Sequence, residues 1–354
     1  MEDKFPYKWT LQDANFTKDK GTVFSCFACG GGSTMGYKLA GFDVIGCNEI
    51  DPRMNEVYVK NHSPKYNFCC DIREMVDLAK RKELPEELYN LDILDGSPPC
   101  SSFSICGNRE KDWGKEKHFR EGQKKQVLDT LFFDFIALAK ELRPKVVVAE
   151  NVKGILMTDA IRYVRKIYDD LSDAGYYCSH FLLNASKMGV PQKRERVFFV
   201  CLRKDLAEPF LERVSLFDEL PRLKMVFNER PILFKEFADY KGTEIKGGKL
   251  RHYWENKIPD DDGMGDTTKR LYGVEKCFNF RYDKEDMVCH TLTAKDACVC
   301  YNQPRRHSVG EVCCISSFPQ DYNFGGQSPH YVCGMSVPPV MMAQVANQIW
   351  EQWL

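Results

Sequence analysis

The chain has 354 residues, of which 43% are hydrophobic, 12% aromatic and 29% charged, so it is expected to fold as a globular protein rather than remain disordered or fibrous. Its 50 basic and 51 acidic residues give a formal net charge of -1, so any nucleic-acid binding must come from a local patch. The 16 cysteines, with no secretory signal between Met1 and Lys20, predict reduced thiols in an intracellular chain.

A strand, helix, strand unit is predicted near the start of the chain. The apolar run Thr22 to Ala28 ends in a glycine cluster, a short helical stretch follows, and a second apolar run spans Phe42 to Cys47. The alternation continues with the apolar stretch Leu91 to Leu94, a helix within Val127 to Leu142 and the strand Val146 to Ala149. This rhythm predicts an α/β fold with a Rossmann-like, doubly wound and mostly parallel sheet.

The pattern changes after Arg203, where periodicity is weak and turn residues are frequent. We therefore predict a larger domain from residues 1–202 and 301–354 and a smaller domain from residues 203–300. Pro338 and Pro339 precede a predicted terminal helix from Val340 to Leu354. No apolar run approaches the roughly 20 residues of a membrane helix, which predicts that the chain does not enter a membrane.

The glycine cluster and an acid after the second strand form the first candidate site. Glu49 lies 19 residues after Gly30, where a carboxylate can accept hydrogen bonds from both ribose hydroxyls of a nucleoside. The spacing from Gly30 to Gly36 is neither a dinucleotide fingerprint nor a phosphate-binding P-loop. A cofactor without phosphate, S-adenosylmethionine, fits this pattern better, and the alternative is a tight turn followed by an exposed acid.

The second candidate site is the segment Gly96 to Ser104, which follows an apolar strand. Its Ser-Pro-Pro sequence is similar to that of methyltransferases acting on amino groups, but Cys100 occupies the aromatic position. A pyrimidine ring carbon becomes a good nucleophile when a thiolate adds to the neighbouring carbon, so cysteine suits methylation at carbon. The alternative is a passive cysteine in the core.

Two further segments offer groups that suit the same chemistry. Glu150 follows a predicted strand, and a carboxylic acid there can hydrogen-bond or protonate ring nitrogen 3 of cytosine, or simply cap the next helix. In the segment Gln192 to Arg196, alternating basic side chains would project to one face if extended. Guanidinium groups suit a base carbonyl or phosphates, although solvated charge is the usual meaning of such a run.

Taken together and in order, these segments resemble the cytosine-5 DNA methyltransferase family from about Thr22 to about Ile349. The resemblance implies the S-adenosylmethionine-dependent methyltransferase fold, with target recognition assigned to the variable segment 203–285. The segments that carry it are Phe27-Ala28-Cys29-Gly30-Gly31-Gly32, Asn48-Glu49-Ile50-Asp51, Asp71-Ile72, Pro99-Cys100, Glu150-Asn151-Val152, Gln192 to Arg196, His290-Thr291-Leu292-Thr293-Ala294 and Gly334-Met335-Ser336-Val337.

The resemblance assigns a role to each candidate residue. Cys100 is the expected nucleophile, Glu150 the acid at nitrogen 3, and Arg196 with Arg194 the groups that hold the base oxygen. The expected S-adenosylmethionine contacts are Phe27, Cys29, Gly30, Gly31, Gly32, Glu49, Ile50, Asp71, Ile72, Ser97, Pro99, Ser336 and Val337.

This chain departs from the family pattern at three positions. The family usually has glycine where this chain has Cys29, commonly an acid where it has Ser25, and asparagine where it has Met335. The loop after Cys100 looks longer than usual, and it carries seven basic and four acidic residues between Arg109 and Lys125. It is interpreted as a mobile basic flap over nucleic acid, with an ordinary solvated loop as the alternative.

Duplex DNA is the expected partner of the predicted enzyme. The segment from Lys241 to Lys257, with five basic and two acidic residues, is the candidate contact, through Lys246, Lys249, Arg251 and Tyr253. A tRNA substrate and a catalytically silent DNA-binding regulator are the alternatives. No metal is expected, although close cysteines such as Cys26 and Cys29 leave a structural zinc site open. A cognate restriction endonuclease, a monomeric state and a cytoplasmic or, in a eukaryote, nuclear location complete the expectations.

Overall fold

The computed structural model describes residues 4–99, 130–157, 160–213, 219–295 and 297–354. By its internal contacts the chain divides into two compact units. The sheet unit comprises Phe16–Leu183, Glu195–Val226 and Ala343–Leu354, and the smaller unit comprises Met1–Asn15, Asn184–Arg194 and Phe227–Met342. The assignment of target recognition to residues 203–300 stays a prediction.

The helices and strands of the described residues alternate through the first two hundred positions. The strands are β1 Thr22–Cys26, β2 Asp43–Asn48, β3 Tyr66–Phe68, β4 Ile93–Gly96, β5 Val146–Val152, β6 Tyr176–Asn184, β7 Glu195–Arg203, β8 Leu211–Arg213, β9 Glu219–Pro221, β10 Arg281–Asp283 and β11 Cys298–Cys300. The α-helices are α1 Gly32–Leu39, α2 Pro52–His62, α3 Ile72–Lys80, α4 Leu131–Leu142, α5 Ile161–Asp173, α6 Gly248–Glu255, α7 Met264–Tyr272, α8 Val309–Ser316, α9 Pro329–Met335 and α10 Pro339–Trp353.

The sheet unit is built on a seven-stranded sheet in the order β3-β2-β1-β4-β5-β7-β6. Strands β1 to β5 pair in parallel, whereas β7 runs antiparallel to β5. Parallel strands joined by helices end at one edge of a sheet, and ligands bind at that carboxyl edge in open α/β folds. The predicted α/β fold with a doubly wound, mostly parallel sheet is confirmed.

The sequence explains why these elements form. The central strands are apolar because both faces of a parallel sheet are covered, and Val147 and Phe199 belong to one large core with Phe135 of α4. Helices α2 and α3 begin at aspartates whose carboxylates accept a hydrogen bond from the amide two residues on, Asp51 from Arg53 and Asp71 from Arg73. Local capping and burial therefore agree with the pattern of the sequence.

The smaller unit has its own core and a short sheet. Strands β10 and β11 pair in parallel, and a cluster of apolar residues packs beneath them. The buried members of that cluster are Ile245, Tyr253, Met264, Tyr282 and Val299.

The terminal helix predicted from Val340 is α10, and the apolar face assigned to it is buried from Met342 to Trp353. Across the ranges that the structure describes, no helix is both long enough and apolar enough to cross a bilayer.

Candidate active site

The carboxyl edge of the sheet brings together several of the predicted site segments. Strand β1 leads into the glycine turn, β2 into Glu49, β4 into the segment Ser97 to Pro99, and β5 carries Glu150 near its end. Their order along the edge is that of the strands, β2-β1-β4-β5, and Ser25 of β1 lies opposite Asp95 of β4. The edge therefore collects the residues predicted to hold a nucleoside and those predicted to act on a base.

The glycine turn between β1 and α1 adopts an unusual backbone. Phe27 and Cys29 have φ values of 54° and 46°, and Gly31 has a φ of 73° at the start of α1. A Cβ atom on Gly31 would lie 2.2 Å from Nε2 of His62, so glycine is required there for both its φ and its space. Cys29, at a position where the family usually has glycine, therefore also has a backbone angle that glycine adopts readily.

His62 packs against this turn, and the sequence did not single it out. It lies at the end of α2, is 8% exposed, and its ring packs 4.6 Å from the ring of Tyr58, measured between centroids. Burial, reinforced by the charge of Lys38, lowers the pKa of His62 to about 3, so a neutral imidazole supports Gly31. No local pattern singles out this histidine, because its contact with the turn depends on how α2 packs.

Glu49 is held at the end of β2 by backbone amides. Its buried carboxylate accepts hydrogen bonds from the N–H groups of Cys29 and Asp51, each at 2.8 Å. Burial raises the pKa of Glu49, while these two N–H groups oppose the shift. The carboxylate thus ties the glycine turn to the second strand, and Ile50 beside it is half-buried.

The predicted adenine-reading pair lies at the start of α3. The Asp71 carboxylate accepts hydrogen bonds from the backbone N–H of Arg73 at 2.9 Å and from its Nε–H at 3.0 Å. Ile72 is buried in the core beneath the sheet. These contacts give both side chains a structural role, and a contact with adenine stays a prediction.

The segment before Cys100 is fixed by a residue of β5. The side chain of Asn151, 4% exposed, donates a hydrogen bond from Nδ2 to the carbonyl oxygen of Pro98 at 3.2 Å. Ser97 and Pro99 on either side are half-buried. Cys100 itself lies outside the described residues, as does the basic flap predicted between Arg109 and Lys125. Asn151 was not among the predicted site residues, because its partner lies 53 positions away.

Glu150 and Arg196 form a shielded ion pair. The Nε atom of Arg196 lies 2.9 Å from Oε1 of Glu150, with side-chain exposures of 16% and 10%. Because Val152 of β5 is paired with Arg196 of antiparallel β7, Arg196 and Glu150 lie on the same face of the sheet. Burial lowers the pKa of Arg196, and Glu150 partly reverses that shift. The structure thus joins two of the four predicted catalytic residues.

Arg194 has a different environment from Arg196. Its side chain is 2% exposed and donates to the carbonyl oxygens of Leu292 at 2.9 Å, Gly334 at 2.9 Å and Ser336 at 3.1 Å. These contacts favour a structural role in the smaller unit, and the idea that Arg194 also holds a base oxygen gains no support from them.

Arg194 and Gln192 connect the two later motifs of the smaller unit. Gln192 accepts from the N–H of Leu292 and donates to the carbonyl of Ile315, each at 3.0 Å. A Cβ atom on Gly334 would lie 2.3 Å from the backbone of Thr293, so only glycine permits this approach. The motif from His290 to Ala294 and the motif from Gly334 to Val337 therefore pack together.

The closing motif offers a buried polar atom without a protein partner. The hydroxyl of Ser336 is 4% exposed as part of its residue, and no described residue hydrogen-bonds to it. Val337 is buried beside it, whereas Met335 is half-buried. A buried hydroxyl without a hydrogen bond costs free energy, and the cofactor contact of Ser336 stays a prediction.

The predicted nucleic-acid residues have mixed environments. Lys246 and Lys249 are exposed, and Arg251 pairs with Glu255 at 2.7 Å. Tyr253 is 7% exposed and belongs to the core of the smaller unit. The DNA contacts of Lys246, Lys249, Arg251 and Tyr253 stay predictions.

Among the described residues, Cys300, His307 and Glu311 place potential metal ligands within 4.8 Å of one another. However, the Glu311 carboxylate is already bound by Arg305 at 2.6 and 2.8 Å, and His307 Nε2 lies 2.7 Å from Asp283. Arg305 and His307 balance the charges of these two acids without a metal ion. This network therefore fits a buried ionic core better than a zinc site.

The residues at the carboxyl edge fit S-adenosylmethionine. The glycine turn has a left-handed backbone packed against His62, the buried Glu49 carboxylate suits ribose hydroxyls, and no lysine directly follows Gly36 as in a phosphate-binding P-loop. A doubly wound sheet with this edge defines a class: the α/β proteins that bind a ligand at the carboxyl ends of their strands.

The chain matches the family described as C-5 cytosine-specific DNA methylase over residues 21–351, and it belongs to that family. The Type II methyltransferase M.FnuDI of Fusobacterium nucleatum is 38% identical over 251 residues, which cover 71% of this chain and 63% of that protein. The Type II methyltransferase M.Eco47II of Escherichia coli is 29% identical over 346 residues, which cover 93% of this chain and 78% of that protein.

The fold is shared with solved structures. A DNA modification methyltransferase encoded within an E. coli prophage has a TM-score of 0.64 at 20% sequence identity, covering 94% of this chain and 99% of that one. At this level of identity the likeness shows the fold.

The segment of this chain that matches M.FnuDI in sequence spans less than two thirds of the length of M.FnuDI.

Proposed function

We propose that this chain is a DNA (cytosine-5-)-methyltransferase that uses S-adenosylmethionine and acts on a cytosine extruded from duplex DNA. The observation that carries the proposal is the shielded Glu150–Arg196 pair at the end of β5. The next residue, Asn151, holds Pro98 just before the Cys100 position. We infer that the Cys100 thiol acts together with this acid, because addition to a pyrimidine needs both groups.

The first step is addition of the Cys100 thiolate to carbon 6 of the extruded cytosine. A carbon–sulfur bond forms, the 5,6 double bond opens, and negative charge moves toward nitrogen 3 and the base oxygen. A proton shared between Glu150 and nitrogen 3 stabilises this charge, and Arg196 orients the Glu150 carboxyl group through its Nε–H. Extrusion of the base costs a few kcal/mol, because stacking and pairing are lost.

The remaining steps return the enzyme to its starting state. S-adenosylmethionine, when bound, would supply a methyl group as an electrophile and leave as S-adenosylhomocysteine. Carbon 5 of the adduct gains that methyl group, and a base removes the carbon-5 proton. The electron pair of that C–H bond reforms the 5,6 double bond as the carbon–sulfur bond breaks, so Cys100 leaves as a thiolate and nitrogen 3 returns its proton to Glu150.

The residues of this chain that would hold S-adenosylmethionine are those of the glycine turn, with Phe27 against the adenine, and Glu49 on the ribose. Asp71 and Ile72 would read the adenine edge, and Ser336 would supply a hydroxyl contact. Arg194 contributes by fixing the backbone at Ser336. No phosphate contact is needed for this cofactor.

Substitution of Cys100 by alanine tests the nucleophile. We expect Cys100→Ala to lose at least about three orders of magnitude in methyl transfer from labelled S-adenosylmethionine, because covalent activation of the ring is removed, while duplex binding by gel shift is retained. Cys178→Ala, at a buried position of strand β6, is the matched control and keeps its activity. Full turnover in the Cys100 variant would contradict the assignment.

A second experiment tests the covalent adduct directly. Duplex DNA with 5-fluorocytosine lacks the carbon-5 proton, so elimination stops and the wild-type protein stays joined to DNA on a denaturing gel. The Cys100→Ala variant forms no such band. Absence of the band with wild-type protein and cofactor, at substrate concentrations that support turnover on ordinary duplex, argues against covalent catalysis.

A tRNA substrate is the second candidate, since one branch of the family also carries the Ser-Pro-Pro-Cys sequence found at residues 97–100. Methyl transfer to duplex DNA and to tRNA, measured side by side, separates the two. A catalytically silent DNA-binding regulator is the third candidate, and it would give neither product. Since Cys100 and Glu150 are both present, we favour the enzyme.

The relatives named Type II methyltransferases suggest a partner for this chain. We propose that a cognate restriction endonuclease acts on the same DNA sequence, and that the methyltransferase works inside the cell as a monomer. Bisulfite sequencing of DNA from expressing cells identifies the methylated sequence, and light scattering measures the mass in solution.

A further inference from the structure

One acid at the carboxyl edge has no part in the mechanism above. Asp95 is the third residue of β4, is 1% exposed, and precedes the segment that leads to Cys100. Its Oδ2 atom accepts a hydrogen bond from the Ser25 hydroxyl at 2.9 Å, and its Oδ1 atom accepts one from the Tyr37 hydroxyl at 3.3 Å. Burying a carboxylate this deeply costs free energy unless hydrogen bonds or a nearby charge compensate it.

The two partners of Asp95 stand on either side of the glycine turn. Ser25 lies in β1, two residues before the left-handed Phe27, and Tyr37 lies in α1, six residues after Gly31. One carboxylate therefore joins the strand that enters the turn to the helix that leaves it. Ser33, in the first turn of α1, interacts with the same carboxylate.

We propose that Asp95 is a positioning residue that fixes the glycine turn for S-adenosylmethionine. This chain has serine at position 25, where the family commonly has an acid, and the carboxylate comes from the directly opposite residue of the neighbouring strand. The inference rests on the proposed function, because it concerns the binding of that cofactor.

The surroundings of Asp95 agree with a role beyond packing. The charged and titratable groups that face it are Glu150 of β5, Tyr37 of α1 and Cys26 of β1. Burial raises the pKa of Asp95 to about 7, and the Ser25 and Tyr37 hydroxyls oppose that shift. At about pH 8 the carboxylate is mostly ionised and accepts from both hydroxyls.

The same two strands supply a matched control at their other end. Asp92 accepts hydrogen bonds from the backbone N–H of Thr22 at 2.7 Å and from its hydroxyl at 3.2 Å, and it pairs with Lys145 at 2.7 Å. The Asp92–Thr22 contact also joins β1 to the start of β4, but at the amino edge of the sheet. Asp92→Asn therefore removes a comparable charge without touching the turn.

The test measures S-adenosylmethionine binding by isothermal titration calorimetry at about pH 8, with DNA binding and thermal unfolding as parallel readouts. We expect Asp95→Asn to raise the dissociation constant about tenfold, equivalent to about 1.4 kcal/mol. DNA affinity should stay near the wild-type value, as should the cofactor affinity of Asp92→Asn. Methylation kinetics should show a larger change in the KM for S-adenosylmethionine than in kcat.

The exchange variant distinguishes a positioning carboxylate from a merely structural one. Asp95→Ser alone should weaken cofactor binding, and the double variant Ser25→Asp with Asp95→Ser should recover most of it, because the acid returns to the same cross-strand pair. A dissociation constant for Asp95→Asn within twofold of wild type overturns the inference. So does a folded double variant without recovery. If wild-type protein binds no S-adenosylmethionine, the proposed function has failed instead.

Discussion

The side chains of the carboxyl edge are held by partners that leave them little freedom. Glu150 and Arg196 are both largely shielded from water, so neither can lose its partner cheaply. Removing one member of a buried ion pair costs about 3–5 kcal/mol, because the other charge stays buried and unpaired. The pair thus fixes the position of the acid before any base arrives.

The Asp95 carboxyl predicts a pH dependence of stability. Burial raises its pKa from an ordinary value of 3.8 to about 7. The folded protein therefore holds this proton more tightly than the unfolded chain does. The resulting stabilisation is fully present below about pH 4 and is lost as the pH rises through about 7, by at most about 1.4 kcal/mol per pH unit.

Urea denaturation of wild type and Asp95→Asn across that interval measures this effect. We expect the free energy of unfolding of the wild type to fall more steeply with rising pH than that of the variant. Asp92→Asn should keep the wild-type slope. Equal slopes for wild type and Asp95→Asn would show that Asp95 titrates at an ordinary pKa in the folded protein.

Sequence reasoning reached some of these residues and missed others. Glu49 and Glu150 could be found because each follows an apolar strand, and strand ends of a parallel sheet hold the ligand. Asn151 and Asp95 were missed as functional side chains, since their partners lie 53 and 70 positions away in the chain. Local pattern carries no information about such pairs.

The turn between β1 and α1 is the element on which the proposed cofactor site depends most. Its left-handed residues and the close approach of His62 define its shape. Gly31→Ala should lose at least about 1–2 kcal/mol of stability from the left-handed backbone alone. The contact of 2.2 Å with His62 would add to that loss.

Chemical denaturation and calorimetry with S-adenosylmethionine check this expectation. We predict that Gly31→Ala binds the cofactor too weakly to measure. Gly175→Ala serves as control, because Gly175 has a φ of 94° but no heavy atom within 4 Å of an added Cβ. The control should show the backbone cost without loss of cofactor binding. Equal behaviour of the two variants would mean that the space beside His62 is unimportant.

At the level of elements, the order of strands and helices was predictable and the direction of one strand was not. The β1–α1–β2 unit, α4, β5 and α10 lie where periodicity placed them. The antiparallel pairing of β7 with β5 depends on how the chain returns to the sheet. Direction leaves no mark on an apolar run, so the contact of Arg196 with Glu150 could be stated only after folding.

The charge of the whole molecule limits how the proposed enzyme would bind DNA. With a net charge of -1, attraction has to come from local groups such as the exposed Lys246 and Lys249. The logarithm of the DNA association constant should fall linearly with the logarithm of salt concentration, because bound counterions are released. Lys246→Ala should lower that slope by about one.

Fluorescence anisotropy with labelled duplex between about 50 and 200 mM salt measures the slope. The matched control is Lys166→Ala, since Lys166 lies on α5 and pairs with Asp170. An unchanged slope for Lys246→Ala would remove that residue from the DNA contact. The same titration on a scrambled sequence separates phosphate contacts from base reading.

The antiparallel course of β7 has a consequence for how such proteins diversify. Arg196 pairs with Val152 at one end of the β5–β7 pairing, whereas Leu202 pairs with Val146 at the opposite end. Extra residues inserted after Arg203 therefore enter at the end of β7 that lies away from the Glu150–Arg196 pair. Loops of very different length can be inserted there while Arg196 stays paired with Glu150. The family can therefore acquire new sequence preferences without changing this ion pair.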